Sequence, residues 1–95
     1  MDDGAAPLMR LVKIINTKGL HARASAKFVQ CAAKFDVTVI VKKDGNSVTG
    51  TSIMGLMMLG AGVGSELSLS ADGRQAVEAL DALQALIDSK FGEDL

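Results

Sequence analysis

The chain has 95 residues, 48% of them hydrophobic, and a formal net charge of −1 at pH 7. This length and composition fit one compact domain whose core needs neither a metal nor a disulfide. The near-neutral charge and the presence of only three aromatic residues, all Phe, argue against a nucleic-acid partner. The single cysteine cannot form an internal disulfide, and no cluster of His and Cys suggests zinc. We expect no metal site and no cofactor.

The first residues are acidic where a signal peptide would be basic, and no apolar run approaches the ~20 residues of a membrane span. We therefore expect a cytoplasmic protein that does not insert into a membrane. Residues 1–7 are mostly small or acidic and end in the only proline, Pro7. This composition predicts a flexible lead-in, followed by one domain over residues 8–95.

Hydrophobic periodicity divides the rest of the chain into seven elements in the order βαββαβα. Strands are predicted at residues 8–15, 36–43, 46–51 and 65–71, with Asp44-Gly45 as a tight hairpin turn. Helices are predicted at residues 21–35, from Ser52 to residue 58 or 59, and from residue 76 to near Gly92. The predicted apolar face of the first helix comprises Phe28, Cys31, Ala32 and Phe35. The predicted apolar face of the last helix comprises Ala76, Val77, Leu80, Leu83, Gln84 and Ile87.

The strands carry polar residues on one side, whereas the three helices need an apolar surface to cover. A four-stranded antiparallel sheet with all three helices on one face satisfies both requirements. We therefore predict an α/β (α+β) fold, an open-faced sandwich of two layers.

The only histidine, His21, lies where a glycine-containing loop meets the first helix. A helix start offers free backbone N–H groups and a positive dipole end, and Arg23 adds charged donors nearby. Together these groups could hold a phosphoryl group on an imidazole nucleophile. On its own, however, a histidine at such a junction is more often a cap or a surface residue.

Two separated motifs favour the functional interpretation. The string GLHARASA at residues 19–26, followed by SIMGLM at residues 52–57 and by Leu59-Gly60, closely resembles HPr, the histidine-containing phosphocarrier family of the phosphoenolpyruvate-dependent phosphotransferase system. The resemblance extends from about Val12 to the last helix. It implies the strand order 1-4-2-3, a monomer, and a phosphoryl carrier rather than an enzyme.

The resemblance also implies a reaction. Phosphorylated enzyme I would pass its phosphoryl group to Nδ1 of His21, which would hand it to a histidine of an enzyme IIA domain. Arg23 and the backbone N–H groups of Ala22 and Ala24 would hold the phosphoryl oxygens. Ala24 departs from the family pattern, which usually has proline there, so this chain has an additional N–H donor and a more flexible helix start.

Ser52 has two interpretations. A serine just before a helix is a favoured N-cap, and this role is expected in any case. The resemblance adds that Ser52 matches the serine that HPr kinase/phosphorylase modifies in some bacteria. A phosphate there would place about two negative charges beside the surface that partners use.

The helix after Ser52 is too apolar to bury all its side chains, and Leu56 and Leu59 are the better core candidates. We expect three of the other apolar residues to form a partner-docking patch with two residues of the first helix. The alternative is a fully buried helix in a crowded core. The predicted docking residues are Ala26, Val29, Ile53, Met54 and Met57.

Two other functions remain open from the sequence. The chain could be a regulatory interaction protein of the same fold, in the branch that controls nitrogen metabolism instead of sugar transport. It could also be a small ligand-binding α/β module with an inert histidine, although the sequence from His21 to Arg23 argues against this.

Overall fold

A computed structural model describes residues 7–93, which form four strands, three helices and a short 3-10 turn. The predicted lead-in lies outside the described residues, except for Pro7. The strands are β1 (Leu8–Lys13), β2 (Thr38–Lys43), β3 (Asn46–Thr49) and β4 (Glu66–Asp72). The helices are α1 (Ala22–Ala32), α2 (Ile53–Met58) and α3 (Ala76–Asp88), and the 3-10 turn at Lys90–Gly92 follows them.

The strands form one antiparallel sheet in the order β1-β4-β2-β3. Val12 of β1 lies opposite Leu67 of β4, and Val41 of β2 lies opposite Leu69, so buried residues align across the sheet. The predicted two-layer sandwich with three helices on one face is confirmed.

The tight turn predicted at Asp44-Gly45 connects β2 and β3. Asp44 and Gly45 both have positive φ, 51° and 85°. A two-residue turn of this kind matches the twist of its strands and favours Asp-Gly.

The core lies between the sheet and the helices. Leu56 and Leu59 are buried, as predicted. Val77 was wrongly placed on the apolar face of α3, because it is 53% exposed and the buried position beside Ala76 and Leu80 belongs to Ala79. The largest fully buried apolar side chains are Phe28, Phe91, Ile14, Leu56, Leu67, Leu69, Leu80, Leu83, Ile87 and Val41.

The first helix ends three residues earlier than predicted. Lys34 and Phe35 donate their backbone N–H groups to carbonyls three residues back, so the chain tightens into turns after Ala32. The second strand begins at Thr38 rather than at residue 36, because both backbone groups of Asp36 bond to Gln75. The prediction extended the first helix and the second strand into the segment that connects them. Contacts with residues far along the chain determine the conformation of that segment.

Within residues 7–93, no helix is long and apolar enough to cross a membrane.

Candidate functional site

The loop before α1 is fixed by a close approach of two backbone segments. Gly19 has φ +65°, and a Cβ on it would lie 2.4 Å from the carbonyl oxygen of Ala61 and 2.8 Å from Cα of Gly62. The next residue, Leu20, donates its N–H to the same Ala61 oxygen at 2.9 Å. Only glycine accommodates both the conformation and the contact. The following residue, His21, therefore starts from a well-defined backbone.

His21 is the N-cap of α1. Its backbone is extended, with φ −71° and ψ −177°, and its Nδ1 accepts hydrogen bonds from the N–H groups of Arg23 at 3.1 Å and Ala24 at 3.4 Å. A side-chain acceptor at this position satisfies N–H groups that have no partner inside the helix. Because two donors face Nδ1, this nitrogen carries a lone pair and no proton in the tautomer that the contacts favour.

The second ring nitrogen has a partner from the other end of the described chain. Nε2 of His21 lies 2.5 Å from Oε2 of Glu93, 72 residues away. The side chains are 27% and 11% exposed, respectively, so the pair is partly shielded from water. A carboxylate beside Nε2 favours the proton on that nitrogen, in agreement with the lone pair on Nδ1.

Asn16 connects this carboxylate to the loop. Its side chain is fully buried, and its Nδ2 donates to the Gly19 carbonyl at 2.9 Å and to Oε1 of Glu93 at 3.1 Å. The Asn16 amide holds the pKa of the Glu93 carboxyl below its usual range, and His21 and Lys18 act in the same direction. Glu93 is therefore ionised at neutral pH.

An open cleft of about 560 Å³ surrounds the imidazole. Three cationic side chains line it, from Lys18, Arg23 and Lys27, against the single carboxylate of Glu93. The backbone of Ala22, at the first position of α1, borders the same cleft. The positive excess and the helix start make this cleft suitable for an anion with several oxygens.

The second predicted site lies at the start of α2. Ser52 is the N-cap, with its Oγ accepting from the N–H of Gly55 at 3.0 Å, and it is partly exposed. On the helix that follows, Ile53, Met54 and Met57 are 40%, 69% and 41% exposed. Met58 is 80% exposed, although the prediction did not include it.

Helix α2 packs against α1, so the predicted docking residues belong to neighbouring elements. On α1, Ala26 and Val29 are partly buried. The structure thus places the five predicted residues on two adjacent helices, with the larger exposed area on α2.

A family model described as the PTS HPr component phosphorylation site matches residues 8–89. The chain belongs to the HPr family. It is 52% identical over 86 residues to phosphocarrier protein HPr of Cupriavidus necator, covering 90% of this chain and 97% of that relative. It is 41% identical over 86 residues to phosphocarrier protein NPr of Shewanella violacea, covering 90% and 94%.

The structural comparison agrees with the family. A crystal structure of HPr from Thermoanaerobacter tengcongensis superposes with a TM-score of 0.88 at 48% identity, covering 93% of this chain and 99% of that one. The predicted resemblance and the predicted fold are confirmed, and the HPr family consists of phosphocarriers rather than enzymes. Its members act with phosphotransfer partners of the phosphotransferase system.

The sequence does not predict the contacts of Asn16 and His21 with Glu93. Asn16 follows the first predicted strand and Glu93 follows the last predicted helix, and no motif surrounds either residue. The two residues meet His21 only through the complete fold, so no local pattern could have indicated the pairing. Among residues 7–93, no group of three or more His, Cys, Asp or Glu could hold a metal ion.

Cys31 belongs to the predicted apolar face of the first helix. It is partly buried beside the core, and burial raises the pKa of its thiol above the ordinary value. The thiol is therefore neutral near pH 7 and a poor nucleophile.

Proposed function

We propose that this chain carries a phosphoryl group on Nδ1 of His21, taken from phosphorylated enzyme I and delivered to a histidine of an enzyme IIA domain in the cytoplasm. The observation that carries this proposal is the asymmetry of the imidazole. Nε2 is occupied by Glu93, whereas Nδ1 has a lone pair at the edge of a cationic cleft. Nδ1 is therefore the nitrogen with an electron pair for attack on phosphorus, once it releases the N–H groups of Arg23 and Ala24.

The helix start provides the phosphoryl-binding groups in this proposal. The N–H groups of Ala22 and Ala24 belong to the first turn of α1, where backbone donors have no intrahelical acceptor. The Arg23 side chain is exposed and borders the cleft, so its guanidinium can reach phosphoryl oxygens. The Arg23 N–H, which now caps on Nδ1, is a further donor.

Reversible transfer requires a site that holds the phosphoryl group without enclosing it. The cleft around His21 is open, and only one side of the imidazole is paired with a carboxylate. Donors that already point at the reaction centre stabilise charge there without reorganisation. An open arrangement leaves the opposite side of phosphorus free for the next acceptor.

Phosphorylation of the chain by enzyme I and labelled phosphoenolpyruvate tests the proposal. We expect label on the parent and none on His21→Asn, because asparagine can still cap the helix but is no phosphoryl acceptor. The variant separates loss of the nucleophile from loss of the cap. A parent that takes no label, or a His21→Asn variant that is labelled like the parent, would refute the assignment.

We assign partner docking to the exposed residues of α2, namely Ile53, Met54 and Met57, together with Ala26 and Val29 of α1. Flexible methionine side chains suit a surface that must fit more than one partner. A Met54→Glu variant should be phosphorylated by enzyme I more slowly than the parent while keeping its fold, because Met54 is 69% exposed. The matched control is Met9→Glu, at an equally exposed position on the sheet. Equal rates in all three proteins would refute this docking surface.

Ser52 is our candidate for regulatory phosphorylation by an HPr kinase/phosphorylase. Ser52 is partly exposed, and a phosphate at a helix N-terminus is favoured by the local dipole. Added negative charge on α2 would oppose docking of a phosphorylated partner. Incubation with such a kinase and ATP should label the parent but not Ser52→Ala, and equal labelling would exclude Ser52 as the site.

The nitrogen-type branch is a second candidate role, supported by the relative named NPr and by Ala24 in place of the usual proline. The relative from Cupriavidus necator, which is more similar, is named HPr and favours the general carrier role. Phosphotransfer rates with enzyme I and enzyme IIA from each branch discriminate the two roles. The branch whose proteins exchange phosphate faster is the physiological one.

A further inference from the structure

We propose that Glu93 is a positioning residue for phosphotransfer at His21: its carboxylate holds the proton on Nε2, aims Nδ1 into the cleft, and faces the positive charge that the ring acquires. This inference rests on the function proposed above. The main observation is one contact, in which Oε2 of Glu93 lies 2.5 Å from Nε2 of His21. This contact joins the loop after the first strand to the last described residue.

The backbone before Glu93 is held in an unusual conformation. Lys90, Phe91 and Gly92 have φ values of 58°, 57° and 75°, and two of these residues are not glycine. Left-handed conformations are rare for bulky residues and persist only where surrounding contacts enforce them. This turn reverses the chain after α3 and directs Glu93 toward the loop that carries His21.

Two contacts enforce the turn. The Phe91 side chain is fully buried in the core, and the Phe91 carbonyl accepts a hydrogen bond from Nζ of Lys27 at 2.6 Å. Lys27 belongs to α1, the helix that His21 caps. The Lys27 hydrogen bond therefore connects the segment before Glu93 to α1, the helix that His21 caps.

Asn16 orients the carboxylate. Both partners of its Nδ2 are acceptors, the Gly19 carbonyl and Oε1 of Glu93, so the amide cannot be reversed without losing both bonds. One carboxylate oxygen is thus held by Asn16 while the other meets Nε2. A buried amide bonded in this way fixes the direction of the carboxylate, as expected of a group that orients a reactive imidazole.

The charges that form during phosphoryl transfer explain why the orientation of the Glu93 carboxylate matters. The electron pair of Nδ1 forms the new bond to phosphorus, and the pair of the broken bond returns to the group of enzyme I that carried the phosphoryl group. The Nε2 proton stays on the ring of His21, which becomes positively charged and faces the Glu93 carboxylate. When the phosphoryl group moves on, the ring leaves as neutral imidazole with its Nε2 proton still in place.

Steady-state phosphorylation by enzyme I tests this role in the full-length chain. We compare the parent with Glu93→Ala, Glu93→Gln and the matched control Glu78→Gln, which removes an exposed carboxylate on α3. We expect turnover to fall about tenfold in both Glu93 variants, the lower end of the losses seen when the carboxylate partner of a metal-bound histidine is removed. The Michaelis constant for the carrier should not change, because Glu93 is not on the docking surface, and Glu78→Gln should behave as the parent.

A spectroscopic readout accompanies the kinetics. The Nε2 proton of His21 should give a slowly exchanging NMR signal in the parent, and this signal should be lost by solvent exchange in Glu93→Ala. Parental turnover in both Glu93 variants, or an unchanged Nε2 signal in Glu93→Ala, would overturn the role of Glu93 alone. A parent that accepts no phosphoryl group would instead overturn the proposed function, and this inference with it.

Discussion

At the scale of single residues, the capping role of His21 and its proposed chemistry use the same lone pair. Nδ1 accepts from the N–H groups of Arg23 and Ala24, where a serine or aspartate oxygen would ordinarily serve. A phosphoryl group on Nδ1 would consume that lone pair. It would also bring three oxygens to the same helix start, so the released N–H groups would gain new acceptors.

Ala24→Pro tests how much this cap depends on Ala24. The residue is the third of α1, and its N–H contacts only Nδ1, at the long distance of 3.4 Å. Proline there removes no intrahelical hydrogen bond and also restricts the unfolded chain. We expect the free energy of unfolding in urea to change by less than about 1 kcal/mol.

The matched control for that substitution is Ala26→Pro. Ala26 lies one half-turn further along α1, where its N–H bonds to the carbonyl four residues back. Proline at this position should destabilise the protein by about 3 kcal/mol. A loss at Ala24 as large as that at Ala26 would show that the Ala24 N–H is needed for the cap or that the proline ring does not fit this fully buried position.

At the scale of elements, the short helix α2 depends on its cap. Six residues are too few for a helix that is stable by itself, and Ser52 provides its side-chain cap through Gly55. Ser52→Ala should lower the free energy of unfolding by about 1 kcal/mol, as measured by chemical denaturation. Ser52→Asp keeps an acceptor and adds a favourable charge, so it should remain close to the parent; equal stability of Ser52→Ala and the parent would contradict the capping role.

The elements also show what sequence patterns could and could not predict. The order of strands and helices followed from periodicity, and the hairpin from Asp44-Gly45, because these signals are local. The predicted start of β2 was wrong because Asp36 bonds to Gln75, 39 residues away. The turn at Phe91 was missed for the same reason, since only burial against the rest of the molecule forces its positive φ.

The residues of the candidate site also fall into two groups, those that the sequence predicts and those that it does not. His21, Arg23 and Ser52 belong to motifs that can be read in the sequence, and the structure places His21 and Ser52 at helix N-termini. Asn16 and Glu93 could not be predicted, because their contact spans 77 residues and no motif accompanies either one. Sequence therefore indicated the proposed nucleophile, and the fold was needed to find the groups that orient it.

At the scale of the whole molecule, the site joins the loop after the first strand to the segment after the last helix. Glu93 meets His21 only when β1, α1 and α3 are all packed. The contact between His21 and Glu93 is therefore lost when either of the two segments opens locally. The same contact links the stability of the fold to pH.

Acid should weaken the fold through Glu93. Asn16, with His21 and Lys18, lowers the pKa of this carboxyl in the folded protein, so the folded state binds its proton less readily than the unfolded state does. The contribution is fully present above the pKa of the unfolded carboxyl and is lost as pH falls through the lower pKa of the folded one. The parent should thus exceed Glu93→Gln in stability at neutral pH, and the difference should shrink as pH falls below about 5.

Urea unfolding at a series of pH values measures this difference, with Glu78→Gln as the control. Glu78 is exposed on α3, so its substitution should leave the pH dependence of the parent unchanged. A difference between the parent and Glu93→Gln that persists unchanged to pH 3 would mean that the ionised carboxylate is not what stabilises the pair. A difference that vanishes in acid would instead show that the ionised Glu93 carboxylate stabilises the fold. This is the carboxylate that faces the proposed phosphoryl-accepting imidazole.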